Sequence, residues 1–530
     1  MPQSIDDPQY VAARADGPDA RELSARADRS VLQAVIEAGR RHGMDRRAVE
    51  DGDRRALSYK ELIRASAALS RVLKRSASGP SLAIMLPSSV AATVTYFAVL
   101  AAGRTPAMLN FTAGSAAMGA ACSLAEAGAI ITARRFIKEA KLEDVAEALS
   151  ATCPLLYLED LRTKVSFADK AFAAGAVPLG LLPKAPADDT AALVFTSGSE
   201  GDPKGVVLSH RNLLANVFQV EASVPLERVR VIFNPLPVFH SYGLGPGLVL
   251  PLVTGRTLVV HPSPLRAKEV AQRIKETEAN VLLATDTFLR QYLRAGDETS
   301  LKSLQFAVCG AERVRAETRD LARSRYGFEV LEGYGVTETS PVLAVNHPDD
   351  VRDGTVGRLF PGIEARLEPV PGLSDGQRLH VRGPNVMRGY LQRDGSITPP
   401  PDGWHDTGDV VALVDGHLSI RGRLKRFAKI GGEMTSLVTV ENVAGAAWPE
   451  HLHAAAALPG GRKGEQIVLL TEHPDPDSET YLAQLRQQGL TERFMPARII
   501  PVEHIPLLGT GKTDFVAVTR LAAALTKAAA

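Results

Sequence analysis

The stretch Thr196-Ser197-Gly198-Ser199-Glu200-Gly201-Asp202-Pro203-Lys204-Gly205 sets hydroxyls, three glycines and a lysine directly after the apolar run Ala191 to Phe195. Glycines let backbone N–H groups approach phosphate oxygens, hydroxyls add donors, and a lysine supplies a point charge, so the loop is suited to cradle a polyphosphate. A Ser/Gly surface turn is the plain alternative. A P-loop is excluded, because its lysine is followed by Ser or Thr, whereas Lys204 is followed by Gly205. Near the C-terminus Gly509-Thr510-Gly511-Lys512-Thr513 imitates the end of that signature, but Pro506 to Leu508 occupies the place of its leading glycine.

Other candidates lie farther along the chain: Pro237-Val238-Phe239-His240-Ser241, Gly333-Tyr334-Gly335-Val336-Thr337-Glu338, Trp404-His405-Asp406-Thr407-Gly408-Asp409 and Gly509-Thr510-Gly511-Lys512. Alone, Glu338 reads as a solvated or capping carboxylate, Tyr334 as core, Asp409 as a turn residue and Lys512 as a solvated lysine. Glu338 also offers the hard oxygen that magnesium prefers. Asp409, after a tight turn, can accept from both hydroxyls of a ribose, and Arg423 offers a further donor.

In this order the segments resemble the adenylate-forming superfamily of acyl-CoA synthetases, luciferases and nonribosomal peptide adenylation domains, over about Leu57 to Lys512. The resemblance implies that ATP and an acid form an acyl-adenylate with loss of pyrophosphate, after which a thiol takes the acyl group. It implies ATP and Mg2+ as cofactors. It assigns Thr196, Ser197, Gly198, Ser199, Gly201 and Lys204 to the phosphates, Tyr334 to the adenine, Thr337 to the nucleotide, Asp409 and Arg423 to the ribose, and Glu338 to the metal. Lys512 becomes the lysine bridging the carboxylate and the α-phosphate. His240 and Gly310 line the acyl pocket, and Lys425 becomes the hinge about which a small domain turns between the two half-reactions.

Amino-acid-activating relatives place an aspartate where this chain has His240, which disfavours an amino acid as substrate. Met85-Leu86-Pro87, Pro106 to Asn110, Leu331 to Glu338 and Arg426 to Met434 look most like the synthetase half of bacterial enzymes that join an acyl-acyl carrier protein synthetase to a lysophospholipid acyltransferase. Glu200 fits that branch. An acyltransferase half is not expected here, since no histidine is followed by aspartate five residues on. A fatty acid is therefore the expected substrate and acyl carrier protein the expected acceptor. Coenzyme A, an aryl acid, and a non-catalytic nucleotide-binding regulator stay open as alternatives. Arg421, Arg423, Arg426, Lys429, Arg462 and Lys463 form a candidate basic surface for an acidic carrier.

The elements that must position these groups belong to a chain of 530 residues, 45% hydrophobic and 23% charged, long enough for two or more domains. A formal charge of +1 gives no field toward nucleic acid or an anionic membrane. Cys122, Cys153 and Cys309 are far apart and odd in number, which suggests a reducing cytoplasm. The start Met1-Pro2-Gln3-Ser4 lacks a signal-like basic and apolar pair. The apolar stretches Val90 to Met108 and Gly243 to Val260 are broken by Gly, Pro and Arg, and a spanning helix needs about 20 apolar residues. Both read as core, with no transmembrane segment; peripheral membrane contact stays open.

Short β-branched runs alternating with Ala/Leu-rich stretches predict an α/β fold. Strands are expected at Ser81 to Met85, Ala191 to Phe195, Val231 to Asn234, Thr257 to Val260, Val281 to Ala284 and Phe306 to Cys309, with a helix at Arg211 to Val220. The expected plan is a mobile leader over 1–30, a large N-terminal domain of stacked sheets and helices over 31–421, and a small mobile α+β domain over 422–530.

Overall fold

A computed structural model describes residues 9–11, 17–197, 203–373, 375–430, 433–460, 464–507 and 513–528. The backbone divides into two compact units. One comprises Ala12–Glu364 with Arg382–His405; the other comprises Met1–Val11, Ala365–Val381 and Asp406–Ala530. The mixed α/β class matches expectation, but the cut at 421 does not. Hydrogen bonding is the reason: Gln9–Val11, Glu364–Pro369, Gln377–Arg382, His405–Val414 and His417–Arg423 form one sheet, so these segments group with the C-terminal part of the chain. Residues 20–26, placed in the expected leader, are helical. Asp19 accepts the Glu22 N–H at 2.8 Å and starts the helix Ala20–Arg26, whose Leu23 is buried.

Among its described residues the larger unit holds two sheets. The first runs in the order Arg358–Leu359, Val342–Val345, Glu329–Gly335, Phe306–Cys309, Val281–Ala284, Val231–Asn234, Thr257–Val260, Arg47–Glu50, Ala56–Ser58. Its central strands are almost wholly apolar, buried and parallel, as strands covered on both faces must be. The second runs Ile397–Thr398, Gly389–Leu391, Pro203–Ser209, Thr190–Ser197, Thr105–Met108, Ser81–Ile84, Ala127–Thr132, Leu155–Tyr157.

Between them the helix His210–Ser223 touches strands of both sheets. A capping box of Ser209 and Asn212 starts it, satisfying end N–H groups that the helix itself cannot. Being enclosed on all sides, it cannot carry a solvated polar face. Its polar side chains instead serve neighbouring backbone: Asn212 donates to Pro384 O at 2.9 Å and Val386 O at 2.8 Å. Asn216 donates to Val342 O at 2.8 Å and accepts from Val342 N at 3.1 Å. Gln219 donates to Pro361 O at 3.0 Å. Asn385 then donates to Thr339 O at 2.8 Å and accepts on its own carbonyl from Ser340 at 2.9 Å. The segments 337–342 and 383–391 are thereby fixed to one helix.

In the smaller unit, His453–Pro459, Glu465–Thr471 and Arg498–Pro501 form a sheet buried on both faces. Period-two alternation sends Ala455, Ile467 and Leu469 toward the helices Leu437–Ala447 and Ser478–Gln487, and Ala454, Ala456, Val468 and Leu470 toward Phe515–Ala528. The hairpin Phe427–Ile430 and Glu433–Ser436 completes the unit's sheets. Cys122, Cys153 and Cys309 are free and buried, and among the described residues no helix is long and apolar enough to cross a membrane.

Candidate active site

The Gly/Ser loop joins two antiparallel strands, with Thr196 opposite Lys204 and Ser197 opposite Pro203. The expected loop-then-helix order is therefore corrected: a strand, Pro203–Ser209, intervenes before the helix. Gly198, Ser199, Glu200 and Gly201 lie outside the described residues, as does Lys512. Thr196 is half-buried and Lys204 exposed, so the lysine ammonium is available to an anion.

Beside this hairpin runs Gly389–Leu391, with Tyr390 opposite Val206 and Leu391 opposite Gly205. Tyr390 Oη donates to Glu338 Oε1 at 2.6 Å, and Lys204 Nζ stands 5.1 Å from the centroid of the Tyr390 ring. The Met387 N–H donates to the Glu338 carbonyl at 2.7 Å. The structure thus brings Lys204 and Glu338 together through a residue the sequence reading missed. The signal in the sequence was slight: an aromatic after Gly389 in a polar stretch.

Thr337 and Ser241 share a hydrogen bond of 3.2 Å between hydroxyls, which ties the segment bearing Tyr334 and Glu338 to the segment bearing His240. Phe136, Phe111, Phe239 and His240 form a chain of rings with centroids 4.9, 4.8 and 4.6 Å apart. Tyr242 donates to Val308 O at 2.8 Å, and burial pushes its phenol pKa up. A Cβ added at the buried Gly310 would meet the Tyr242 ring at 3.2 Å, so His240 and Gly310 border one neighbourhood. Tyr334 is half-buried in Glu329–Gly335, opposite Ala344. The preceding Glu332 is gripped by the buried Arg319 at 2.6 Å and accepts the Val314 N–H at 3.3 Å. Burial pushes the Glu332 carboxyl up despite that guanidinium, which marks it as a strut for the strand.

The smaller unit carries the other candidates. Gly408, with φ 69°, takes a left-handed conformation that favours glycine. There the Gly408 N–H donates to Asp406 at 3.0 Å, and the Asp409 N–H donates to the Thr407 hydroxyl at 3.1 Å. Burial raises the Asp406 carboxyl, but the Arg378 guanidinium and the Gly408 N–H outweigh it and hold the group below the usual carboxylate range. Asp409 faces Arg423 across the two strands. Arg423 Nε donates to Asp409 Oδ1 at 3.1 Å, with side chains 64% and 5% exposed respectively.

Lys425 is exposed, in the turn Leu424–Arg426 between the sheet strand ending at Arg423 and the hairpin starting at Phe427. Both flanks lie in the same compact unit. Arg426 donates to Ala455 O at 2.8 Å, pairs with the half-buried Glu441 and stacks 3.7 Å from the Phe515 centroid. The candidate basic surface shrinks accordingly: Arg426 is committed to Glu441, Arg421 to Asp375 at 3.2 Å and Arg423 to Asp409. Arg462 and Lys463 lie outside the described residues.

Comparison with known proteins gives four findings. The family described as AMP-binding enzyme matches residues 35–391. Feruloyl-CoA synthase from Amycolatopsis is 30% identical over 479 residues, 86% of this chain and 92% of that protein. Long-chain-fatty-acid–CoA ligase from Salmonella typhimurium is 29% identical over 345 residues, 62% of this chain, and the match spans only 61% of that ligase. Among solved structures, ATP-bound MatB from Rhodopseudomonas palustris has the same fold, with a TM-score of 0.79 and 24% identity, covering 92% of this chain and 98% of MatB.

Proposed function

We propose, because the chain belongs to the AMP-binding enzyme family, that it activates a carboxylic acid with ATP as an acyl-adenylate and passes the acyl group to a phosphopantetheine thiol. The observation that carries the reading is the placement of an exposed lysine, Lys204, and a carboxylate, Glu338, on the two sides of Tyr390. A cation for phosphate beside an oxygen donor for magnesium is what phosphoryl chemistry requires, since an anionic acid must approach a polyanion.

Lys204 and Thr196 would meet the phosphates, and Glu338 would hold Mg2+, for which a half-buried carboxylate oxygen is a fitting ligand. Magnesium supplies charge neutralisation on the phosphates. Asp409, paired with Arg423, would accept from the ribose hydroxyls. Lys512 would draw the carboxylate toward the α-phosphate. The His240 and Phe239 segment, apolar and aromatic with no carboxylate, suits an acid without an ammonium group.

On this reading the acid is a fatty or aryl acid. The relatives named as CoA ligases favour coenzyme A as acceptor, while Glu200 and Arg426 to Met434 favour acyl carrier protein. The ion pairs on Arg421, Arg423 and Arg426 weaken the electrostatic argument for an acidic carrier. Carboxylate-dependent ATP–pyrophosphate exchange tests the first step; no exchange with any acid from short to long or aryl overturns the assignment, and loss in Lys512→Ala supports it. Thioester formation offered coenzyme A and carrier protein in parallel decides the acceptor. Lys425→Pro, which fixes φ, is expected to keep exchange and lose thioester formation; full transfer would remove the hinge role.

A further inference from the structure

We infer that Tyr390 is a positioning residue that sets the magnesium carboxylate and the phosphate lysine at one fixed spacing, an inference that rests on the adenylation reading above. The phenol does two things at once. Its O–H donates to Glu338 at 2.6 Å, the short length of a charge-assisted bond, and so pins the carboxylate in one rotamer. Its ring carries the Lys204 ammonium at 5.1 Å, within the range where a cation is attracted to an aromatic face.

The backbone beneath Tyr390 is held firmly enough for that task. On one side the Arg388 N–H donates to Val207 O at 3.0 Å, and Tyr390 pairs with Val206. On the other it pairs with Thr398. Gly389, with φ 149°, lets the strands approach, since a Cβ there would sit 2.2 Å from Thr398 O. The Met387 N–H, three residues before Tyr390, holds the Glu338 carbonyl at 2.7 Å. Glu338 is therefore fixed by its main chain and its side chain to the short segment Met387 to Tyr390, and Lys204 lies in the neighbouring strand Pro203–Ser209.

The chemistry of the donor matters. A guanidinium or ammonium in this place would cancel the carboxylate charge, whereas a phenol orients the group and leaves its charge for a divalent cation. Partners that orient a metal ligand in this manner commonly change metal affinity by about 10- to 100-fold when removed. The two halves of the side chain are also separable: Tyr390→Phe deletes the hydroxyl and keeps the ring, and Tyr390→Leu deletes both.

The test uses the full chain with a non-hydrolysable ATP analogue. Mn2+ binding is read by electron paramagnetic resonance in its presence, and analogue binding is read by calorimetry with excess EDTA. Tyr390→Phe is expected to weaken Mn2+ by about 10-fold or more while leaving metal-free analogue affinity unchanged. Tyr390→Leu is expected to weaken Mn2+ equally and also to weaken metal-free analogue binding by about 2- to 5-fold through Lys204, an extra loss that Lys204→Ala should abolish. Wild-type Mn2+ affinity in Tyr390→Phe, with an unchanged melting temperature, overturns the inference; so does equal loss of metal-free analogue binding in both variants. If wild type catalyses no carboxylate-dependent exchange yet binds Mn2+ with the analogue as described, the adenylation reading fails while the Tyr390 linkage stands.

Discussion

Glu338 in the larger unit and Asp409 in the smaller are both acidic, yet their partners differ in kind. Glu338 accepts from the neutral phenol of Tyr390 and is half-buried, while Asp409 is almost wholly buried and accepts from the guanidinium of Arg423. A phenol fixes direction and leaves the negative charge to be used, as the proposed metal role of Glu338 requires. A guanidinium offsets the charge, which fits the proposed use of Asp409 as a hydrogen-bond acceptor for neutral hydroxyls. The pair shows that a carboxylate's task is set as much by its partner as by its own chemistry.

The sharpest way to break the comparison is to neutralise each group with its amide. Glu338→Gln is expected to lower ATP–pyrophosphate exchange by about 10²- to 10³-fold through kcat, the size of one lost electrostatic contact to developing charge; a loss confined to KM would put Glu338 on the wrong side of the contrast. Asp409→Asn should raise KM for ATP by about 10- to 100-fold, as for a hydrogen bond to a charged acceptor, with kcat little changed. Steady-state kinetics over ATP and Mg2+ separates the two.

Smaller effects sharpen it. Arg423 is 64% exposed, and solvent screens such a group strongly, so Arg423→Leu should raise KM for ATP by only a few-fold, with a modest drop in melting temperature. Asp406, two residues before the Thr407–Gly408–Asp409 turn closes, gives the smallest signal. Its folded pKa lies below the unfolded value of about 3.9, so its stabilisation is present above that value and fades as pH falls through the folded pKa. Melting curves of wild type and Asp406→Asn should therefore differ at pH 5 to 7 and converge below about pH 4; a gap that widens in acid would refute the pairing with Arg378.

Much of the larger unit could be read in the chain. Val231–Asn234, Thr257–Val260, Val281–Ala284 and Phe306–Cys309 fall where apolar runs between turn residues put them, because strands covered on both faces leave an unmistakable local pattern. Pro203–Ser209 was hidden for the converse reason. It opens Pro203-Lys204-Gly205, which locally reads as loop, and its strand state depends on pairing with Thr190–Ser197 and Gly389–Leu391. Tyr390 lies 52 residues from Glu338, a contact no spacing rule reaches. The division of the chain was misjudged similarly: the sheet ending at Arg423 gathers strands from distant segments, and composition changes only at the Arg421 to Arg426 junction. Arg423 is named beside Asp409 from the sequence and does pair with it, whereas the Tyr390 link between Glu338 and Lys204 is visible only in the structure.

The polar row on His210–Ser223 has a bearing on how the protein is made. Asn216 reaches Val342, 126 residues later, Gln219 reaches Asn385 at 166, and Asn212 reaches Pro384 at 172. A ribosome must therefore deliver most of the larger unit before this helix can leave water without stranding its amides. Until then its amides are hydrated and its apolar side chains exposed, so this helix is buried only late in the folding of the larger unit.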